Sequence, residues 1–408
     1  MAMPHLIGFG DADSFYASAE AVRRPWLANL PVGVLGNQGA CVIARNYKMK
    51  KFGVNVGEPI WEAKVKCPDG VYVKRDFRWY ETISRKMHGK IGDHSPAVEY
   101  YSIDEFFWQA IPERGMSYQQ SAETIRGEMK RTVGVPMTVA FARTRTLAKL
   151  FADTAKPFGA KAVLDRDHER ELLGKLPVTE IAGIAGKRAR RLEPYGIRTC
   201  LDLADAKGPL IRQVLTVTGY DLWHELNGVP VTPIRTSRTP HKMLSRGGSL
   251  AGRVKDPWSL YGWLVRNVER LIEELHYHEV RTSELVVYLA QPGAGSFAGV
   301  VSLGAPTDRF DALVAAARVA LKKAYKPGAT ATHMHVLASK LVRGGGWQQS
   351  LFDPPNPRLD TVAAVKREIN DRYGRFALRS GATLFANAFY EDPANEHEIC
   401  DVRGKFCF

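Results

Sequence analysis

Two short apolar strands in this chain run straight into acidic pairs. His5–Gly10 leads into Asp11 and Asp13, and Val98–Ile103 leads into Asp104 and Glu105. Asp11 and Asp13 are two residues apart in an extended stretch, so their side chains project to one face. If the two strands are sheet neighbours, three or four carboxylates converge. Like-charge repulsion strains such a cluster unless cations fill it. Hard oxygen ligands in that number suit Mg²⁺ or Mn²⁺, with phosphate oxygens completing the octahedron. Two such ions about 3.5–4 Å apart activate an attacking hydroxyl and stabilise a leaving phosphate oxygen. The plain alternative is a set of turn carboxylates, one of them capping the helix that starts near Ser14.

The surrounding pattern predicts an α+β sheet with an insertion near residues 24–79. Helices are expected at Ser14–Arg23, Asn46–Phe52, Tyr118–Val133 and Thr146–Thr154, and strands at Cys41–Ala44, Phe106–Ala110 and Thr138–Phe141. Residues 166–234 read as helical. The polar stretch 235–241 reads as a linker. Beyond it, strand and helix patterns alternate as a β-α-β-β-α-β unit up to Leu341. A chain of 408 residues is long enough for two to four domains. With 45% hydrophobic and 25% charged residues, it is neither disordered nor fibrous. No apolar run approaches the ~18 residues of a membrane helix. Met1–Gly10 lacks the features of a secretory signal, and the five Cys are scattered without a CxxC pair. A reducing, cytoplasmic (nucleoid-associated) setting is therefore expected, without a disulfide framework or zinc finger. His276/His278 and His333/His335 form two His-x-His pairs, but neither has a third ligand at metal-binding spacing.

Gly-Asp-Ala-Asp-Ser-Phe-Tyr-Ala-Ser-Ala-Glu (residues 10–20) and Tyr-Ser-Ile-Asp-Glu (101–105) resemble the two signature motifs of Y-family, translesion DNA polymerases. Residues 39–46, Gly-Ala-Cys-Val-Ile-Ala-Arg-Asn, and the following Lys-Phe-Gly-Val (51–54) resemble the fingers motif of the UmuC-like branch. The motifs occur in the family's order over nearly the whole chain. The resemblance implies a right-hand polymerase with a ferredoxin-like palm (1–23 and 80–165), small fingers (24–79) and a helix-hairpin-helix thumb (166–234). After the linker (235–241) come a little finger (242–343) and a C-terminal tail (344–408). It further implies error-prone, template-directed nucleotidyl transfer from a dNTP to a primer 3′-hydroxyl, without proofreading. A catalytically inactive DNA- and clamp-binding adaptor of the same family is the alternative.

Carried over by position, the resemblance makes Asp11, Asp104 and Glu105 catalytic and gives them two Mg²⁺ ions (or Mn²⁺), with the backbone carbonyl of Ala12 adding an oxygen. UmuC-like members often carry another residue at the position of Asp13, so no essential role attaches to it. Tyr16 falls at the steric-gate position that excludes a ribose 2′-hydroxyl; the bland reading is a core aromatic. Phe15, Arg45, Tyr47, Lys50 and Lys156 fall at nucleotide-binding positions. Lys50 replaces the family's Arg, a point charge in place of a fork.

Gly183, Ala185, Gly186, Lys187 and Arg188 resemble the DNA-binding hairpin of the thumb, with Ala185 where a Gly is usual. Lys187, Arg188, Arg190 and Arg191 form a basic cluster there. Arg246, Arg253 and Lys340 are expected to touch the DNA backbone. Gln348, Leu351 and Phe352, in Gln-Gln-Ser-Leu-Phe, resemble a bacterial sliding-clamp peptide, two apolar anchors with a hydrogen-bonding Gln. The tail of UmuC-like chains implies a UmuD′-like subunit and RecA as partners, and no membrane partner is expected. The net charge of +14 fits primer–template DNA and is spread as +6 over residues 1–160, +3 over 161–240, +6 over 241–346 and −1 over 347–408.

Overall fold

The computed structural model describes residues 6–36, 41–237, 239–344, 357–374 and 376–386. The chain divides into two compact units at the junction of Arg238 and Thr239. The architecture is α+β.

In chain order, unit one contains β1 (Leu6–Ala12), α1 (Phe15–Arg23), β2 (Val32–Leu35), β3 (Val42–Arg45), α2 (Tyr47–Lys51), α3 (Ile60–Lys66), β4 (Val71–Lys74) and α4 (Phe77–Gly92). There follow β5 (Val98–Tyr100), β6 (Glu105–Ala110), α5 (Tyr118–Glu128), β7 (Met137–Ala142), α6 (Arg145–Ala155), β8 (Ala160–Ala162), α7 (Arg166–Lys175), α8 (Gly186–Leu192), α9 (Cys200–Asp205) and α10 (Gly208–Leu226). The main sheet has the order β5-β6-β1-β7-β8. Only the β7–β8 pair is parallel.

The period-2 alternation of β1 sorts two cores. Leu6 and Ala12 face a core shared with α1, α4 and α5. Ile7 and Phe9 face a core shared with α6 and α7–α10. Asp11 therefore points to the α6 side. Gly8 and Gly10 are glycines for a packing reason, since a Cβ at Gly8 would drive into the indole of buried Trp108 and one at Gly10 would crowd Met137 Sδ and the same indole. The small sheet β3-β2-β4 has its own core of Leu35, Val42, Met49, Val54, Ala63 and Cys67.

The second strand expected to run into an acidic pair is shorter than its sequence suggests. β5 stops at Tyr100 because the N–H groups of Tyr101 and Ser102 donate to the Glu105 carbonyl, at 3.1 and 3.0 Å, folding 101–104 into a hairpin turn. Asp104 thus sits on the turn and Glu105 opens β6. The helix expected to run to Val133 leaves α geometry at Met129, where a π turn takes over and ends at Gly134 (φ 86°).

Unit two contains β9 (Met243–Val254), α11 (Pro257–Tyr277), β10 (Val280–Gln291), β11 (Gly295–Thr307), α12 (Phe310–Ala324), β12 (Ala331–Arg343) and α13 (Pro357–Tyr373). Its antiparallel sheet, in the order β11-β10-β12-β9, is covered on one face by α11 and α12. α13 and the 3₁₀ turn Gly381–Ala386 return to α11. Buried Glu269 accepts from Lys366 Nζ at 2.7 Å and from the Ser380 N–H at 2.9 Å, and Phe385 packs edge-on against Trp263. This part of the sequence, read as a tail for partners, is built onto its own unit. Among the described residues, no helix is long and apolar enough to cross a membrane.

Candidate active site

Strand register brings the acidic pairs together. Asp11 is the cross-strand partner of Glu105 on one side and of Thr138 on the other. The Ala12 N–H donates to the Asp104 carbonyl at 2.9 Å, tying the 101–104 turn to the end of β1. The Asp104 carboxylate accepts from Ser102 Oγ at 2.6 Å.

α6 and the turn after it bring two cations to the same place. Lys156 Nζ lies 2.6 Å from Asp11 and 2.7 Å from Asp153. Lys149 pairs with Glu105, its ammonium 4.9 Å from the Phe9 ring and 5.5 Å from that of Tyr101. Lys149 has no counterpart among the motif residues. Its only trace in the sequence is a position seven residues before Lys156 on a helical pattern.

The electrostatics remain acid-rich. Burial pushes the Asp11 carboxyl up to about 7, with Asp104 and Glu105 adding to the rise against the pull of Lys156. Burial also raises Asp104, reinforced by Glu105 and opposed by Ser102 and Lys149. Burial works against the Lys156 ammonium, but Asp11 and Asp153 outweigh it and hold its pKa above the ordinary value. Among the described residues, no three His, Cys, Asp or Glu side chains are gathered as a ready metal cage. The donor set nonetheless fits hard divalent cations, since it is all oxygen, partly buried and short of positive charge.

Asp13 does not cap α1. The N-cap is Ser14, held in left-handed geometry (φ 50°, ψ 47°) without a side-chain cap bond. The Asp13 carboxylate, 3% exposed, instead accepts from Thr138 Oγ1 at 3.0 Å, the Phe158 N–H at 2.9 Å and the Tyr47 hydroxyl at 3.1 Å. Burial, followed by Asp13, pushes the Tyr47 phenol up to about 12. Nothing beside Asp13 in the sequence signals this contact set, because its partners lie 34 to 145 residues away.

Tyr16 stacks on Tyr80 with ring centroids 4.5 Å apart, and the Tyr80 hydroxyl donates to buried Glu20 at 2.9 Å. The Phe15 ring belongs to the core at 4% exposure. Arg45 Nε donates to the Val54 carbonyl. Exposed Lys50 lies 6.0 Å from the centre of the Tyr47 ring.

The hairpin before α8 is not altered by Ala185. The positive φ (96°) falls on Gly183, and Ala185 is extended (φ −93°, ψ 177°), which any residue adopts. Arg188 Nη1 donates to the Gly183 carbonyl at 2.9 Å, bracing the turn. Gly186 and Lys187 are exposed. In unit two, Arg253 is exposed, and Lys340 is exposed and paired with Glu284 at 2.6 Å. Arg246 corrects its reading as a DNA contact. It is the register partner of buried Val336, so it lies on the helix-covered face, pairs with Glu274 of α11 and is only 12% exposed. Gln348, Leu351 and Phe352 lie outside the described residues.

Residues 10–153 match the profile of the impB/mucB/samB family, and residues 241–351 match that of its C-terminal domain. Protein ImpB of Salmonella typhimurium is 30% identical over 382 residues, covering 88% of this chain and 89% of that protein. Protein UmuC of Salmonella typhimurium is 29% identical over 387 residues, 90% of this chain and 91% of that one. DNA polymerase IV 1 of Bacillus subtilis is 26% identical over 387 residues, 92% of each. Among solved structures, a chimeric Y-family DNA polymerase superimposes with a TM-score of 0.70 at 21% identity, covering 83% of this chain and 100% of that one.

Proposed function

Because the chain belongs to the impB/mucB/samB family of UmuC-like Y-family polymerases, and so to the DNA-directed DNA polymerases, we propose that it copies damaged templates by error-prone nucleotidyl transfer without proofreading. The observation that carries this reading is the facing of Asp11 and Glu105 in register, with Asp104 on the turn tied to the same strand end. Asp11, Asp104, Glu105 and the Ala12 carbonyl would hold two divalent cations, Mg²⁺ or Mn²⁺. When bound, these supply the charge that favours ionisation of the primer hydroxyl and balances the triphosphate. In the reaction, the primer 3′-oxygen bonds to the α-phosphorus as the bond to the bridging oxygen breaks. Pyrophosphate leaves, and the hydroxyl proton passes to solvent.

This chain's own groups supply position and charge, which phosphoryl transfer mostly requires. Lys156 from the palm side and Tyr47 and Lys50 from the fingers side would grip the triphosphate. Tyr16, backed by Tyr80, would lie under the sugar and exclude a 2′-hydroxyl. Residues 1–23 and 80–165 would serve as palm, 24–79 as fingers, 166–234 as thumb and 242–343 as little finger. Primer–template DNA would meet Gly183–Arg188, Arg253 and Lys340. Gln348, Leu351 and Phe352 would engage a bacterial sliding clamp, and a UmuD′-like subunit and RecA are further candidate partners.

The test is primer extension on undamaged and damaged templates, with and without clamp and a UmuD′-like partner. Wild type should extend, and Asp104→Ala should lower extension by at least a thousandfold. Near-normal extension by the variant sinks the assignment. A wild type that binds DNA but never extends is the adaptor.

A further inference from the structure

Asp13 is a buried carboxylate beside the site that belongs neither to the proposed metal-binding set nor to an ion pair described above. Its three donors come from three places in the chain. Thr138 is on β7, Phe158 follows Lys156 by two residues, and Tyr47 opens α2. Both oxygens are engaged. Oδ1 takes the Tyr47 hydroxyl at 3.1 Å, while Oδ2 takes the Phe158 N–H at 2.9 Å and the Thr138 hydroxyl at 3.0 Å. One rigid group is thus bonded to the proposed fingers-side triphosphate residue and to the turn that carries the palm-side one.

The turn is fixed a second time from outside. Arg126 Nη1 donates to the Phe158 carbonyl at 3.0 Å, and its guanidinium carbon lies 4.7 Å from the Phe158 ring centre. The Asp13 backbone is fixed as well, with its N–H donating to the Pro136 carbonyl at 2.9 Å and its carbonyl accepting from Ser18 Oγ at 2.6 Å. Tyr47 is the loosest member, since its ring is half-buried and, among the described residues, its hydroxyl bonds to Asp13 alone.

We propose that Asp13 is a positioning residue that holds Tyr47 and the Lys156–Phe158 turn at a fixed separation, so that one triphosphate finds both grips already set. The proposal rests on the polymerase reading above for the identity of the ligand. A phenol has one proton, so donation to a phosphate oxygen swings the Tyr47 O–H away from Asp13 about the C–O bond, while the ring stays where Asp13 has placed it. Asp13 therefore parks the side chain between turnovers and cuts the rotamer freedom that binding would otherwise remove. A residue acting this way changes substrate binding far more than the chemical step.

Steady-state extension with Asp13→Ala, Tyr47→Phe and the double variant tests this. Asp13→Ala should raise KM for dNTP about tenfold with kcat changed less than about threefold. In the Tyr47→Phe background the same substitution should raise KM much less. Asp13→Asn, which keeps one acceptor oxygen, should recover part of the loss. Multiplicative KM effects in the double variant, or a fall in kcat with KM unchanged, overturn the proposal. Thr138→Val, which removes one brace of the carboxylate, should raise KM in the same direction and serves if Asp13→Ala does not fold. The ¹³Cζ resonance of Tyr47 in nucleotide-free protein reads the contact even in a chain that extends nothing. It should move in Asp13→Ala, and an unmoved resonance also overturns the proposal. Loss of extension by wild type counts against the polymerase reading instead.

Discussion

At the residue scale, the site is acidic groups held short of neutrality. Asp11 is raised from 3.8 to about 7, chiefly by burial, so the folded chain binds a proton there that the unfolded chain releases. Stability from this group is present below pH 3.8 and is lost as pH rises through about 7. In chelator-treated protein, Asp11→Asn should therefore raise Tm more at pH 8 than at pH 5. Calorimetry at the two pH values reads it, and an equal shift at both would remove the burial argument. Tyr16 makes a separate prediction. Its stack on Tyr80 fixes the ring plane, so Tyr16→Ala should admit ribonucleotides by at least tenfold in competition extension assays. Unchanged sugar selectivity would return Tyr16 to the role of a core aromatic. Asp11, Asp104, Glu105 and Tyr16 were legible in the sequence because motif residues lie side by side along the chain. Lys149 and the partners of Asp13 were not, because a helix and a strand far away in sequence deliver them.

At the element scale, register decides what a side chain can do. Arg246 and Arg253 look alike in sequence, one directly before and one directly after the stretch Gly247–Gly252 of the same strand, yet only Arg253 is exposed. Pairing with Val336 turns Arg246 under α11, and one residue of slip would have put it on the open face. β12 shows the same rule in reverse. Its even positions Met334, Val336 and Ala338 are buried, so His333 and His335 share the other face, as their spacing predicts. α13 makes the element-scale prediction. Lys366 compensates Glu269, whose side chain is 3% exposed, so Lys366→Ala should cost about 1–3 kcal/mol in chemical denaturation of the full chain. No change would mean that α13 adds nothing to unit two.

At the scale of the whole molecule, the charge has a division of labour. The +14 total is an excess carried by residues 1–346, while 347–408 are slightly acidic. Contacts of Lys and Arg with phosphates release counterions, so affinity for primer–template DNA should fall steeply with salt and depend little on base sequence. A loss of at least a hundredfold between 50 and 200 mM salt, about the lower end for several phosphate contacts, is the expected outcome of anisotropy titrations. A flat salt response would leave the charge without its proposed use.

What the sequence determined by itself was local and periodic. Alternation set the strands of both units, 3.6-residue patterns set their helices, and contiguous motifs marked the acidic strand ends. These depend on neighbours along the chain, and a string of residues records them directly. Tertiary structure decided the rest. It stopped β5 at Tyr100, turned Arg246 inward, placed Lys149 and Lys156 against the carboxylates, and made Asp13 the common acceptor of Tyr47, Thr138 and Phe158. Each of those outcomes depends on which distant backbone packs alongside, and burial then fixes the charge state and the partner. That is why the same residue types read alike in sequence and end in different roles.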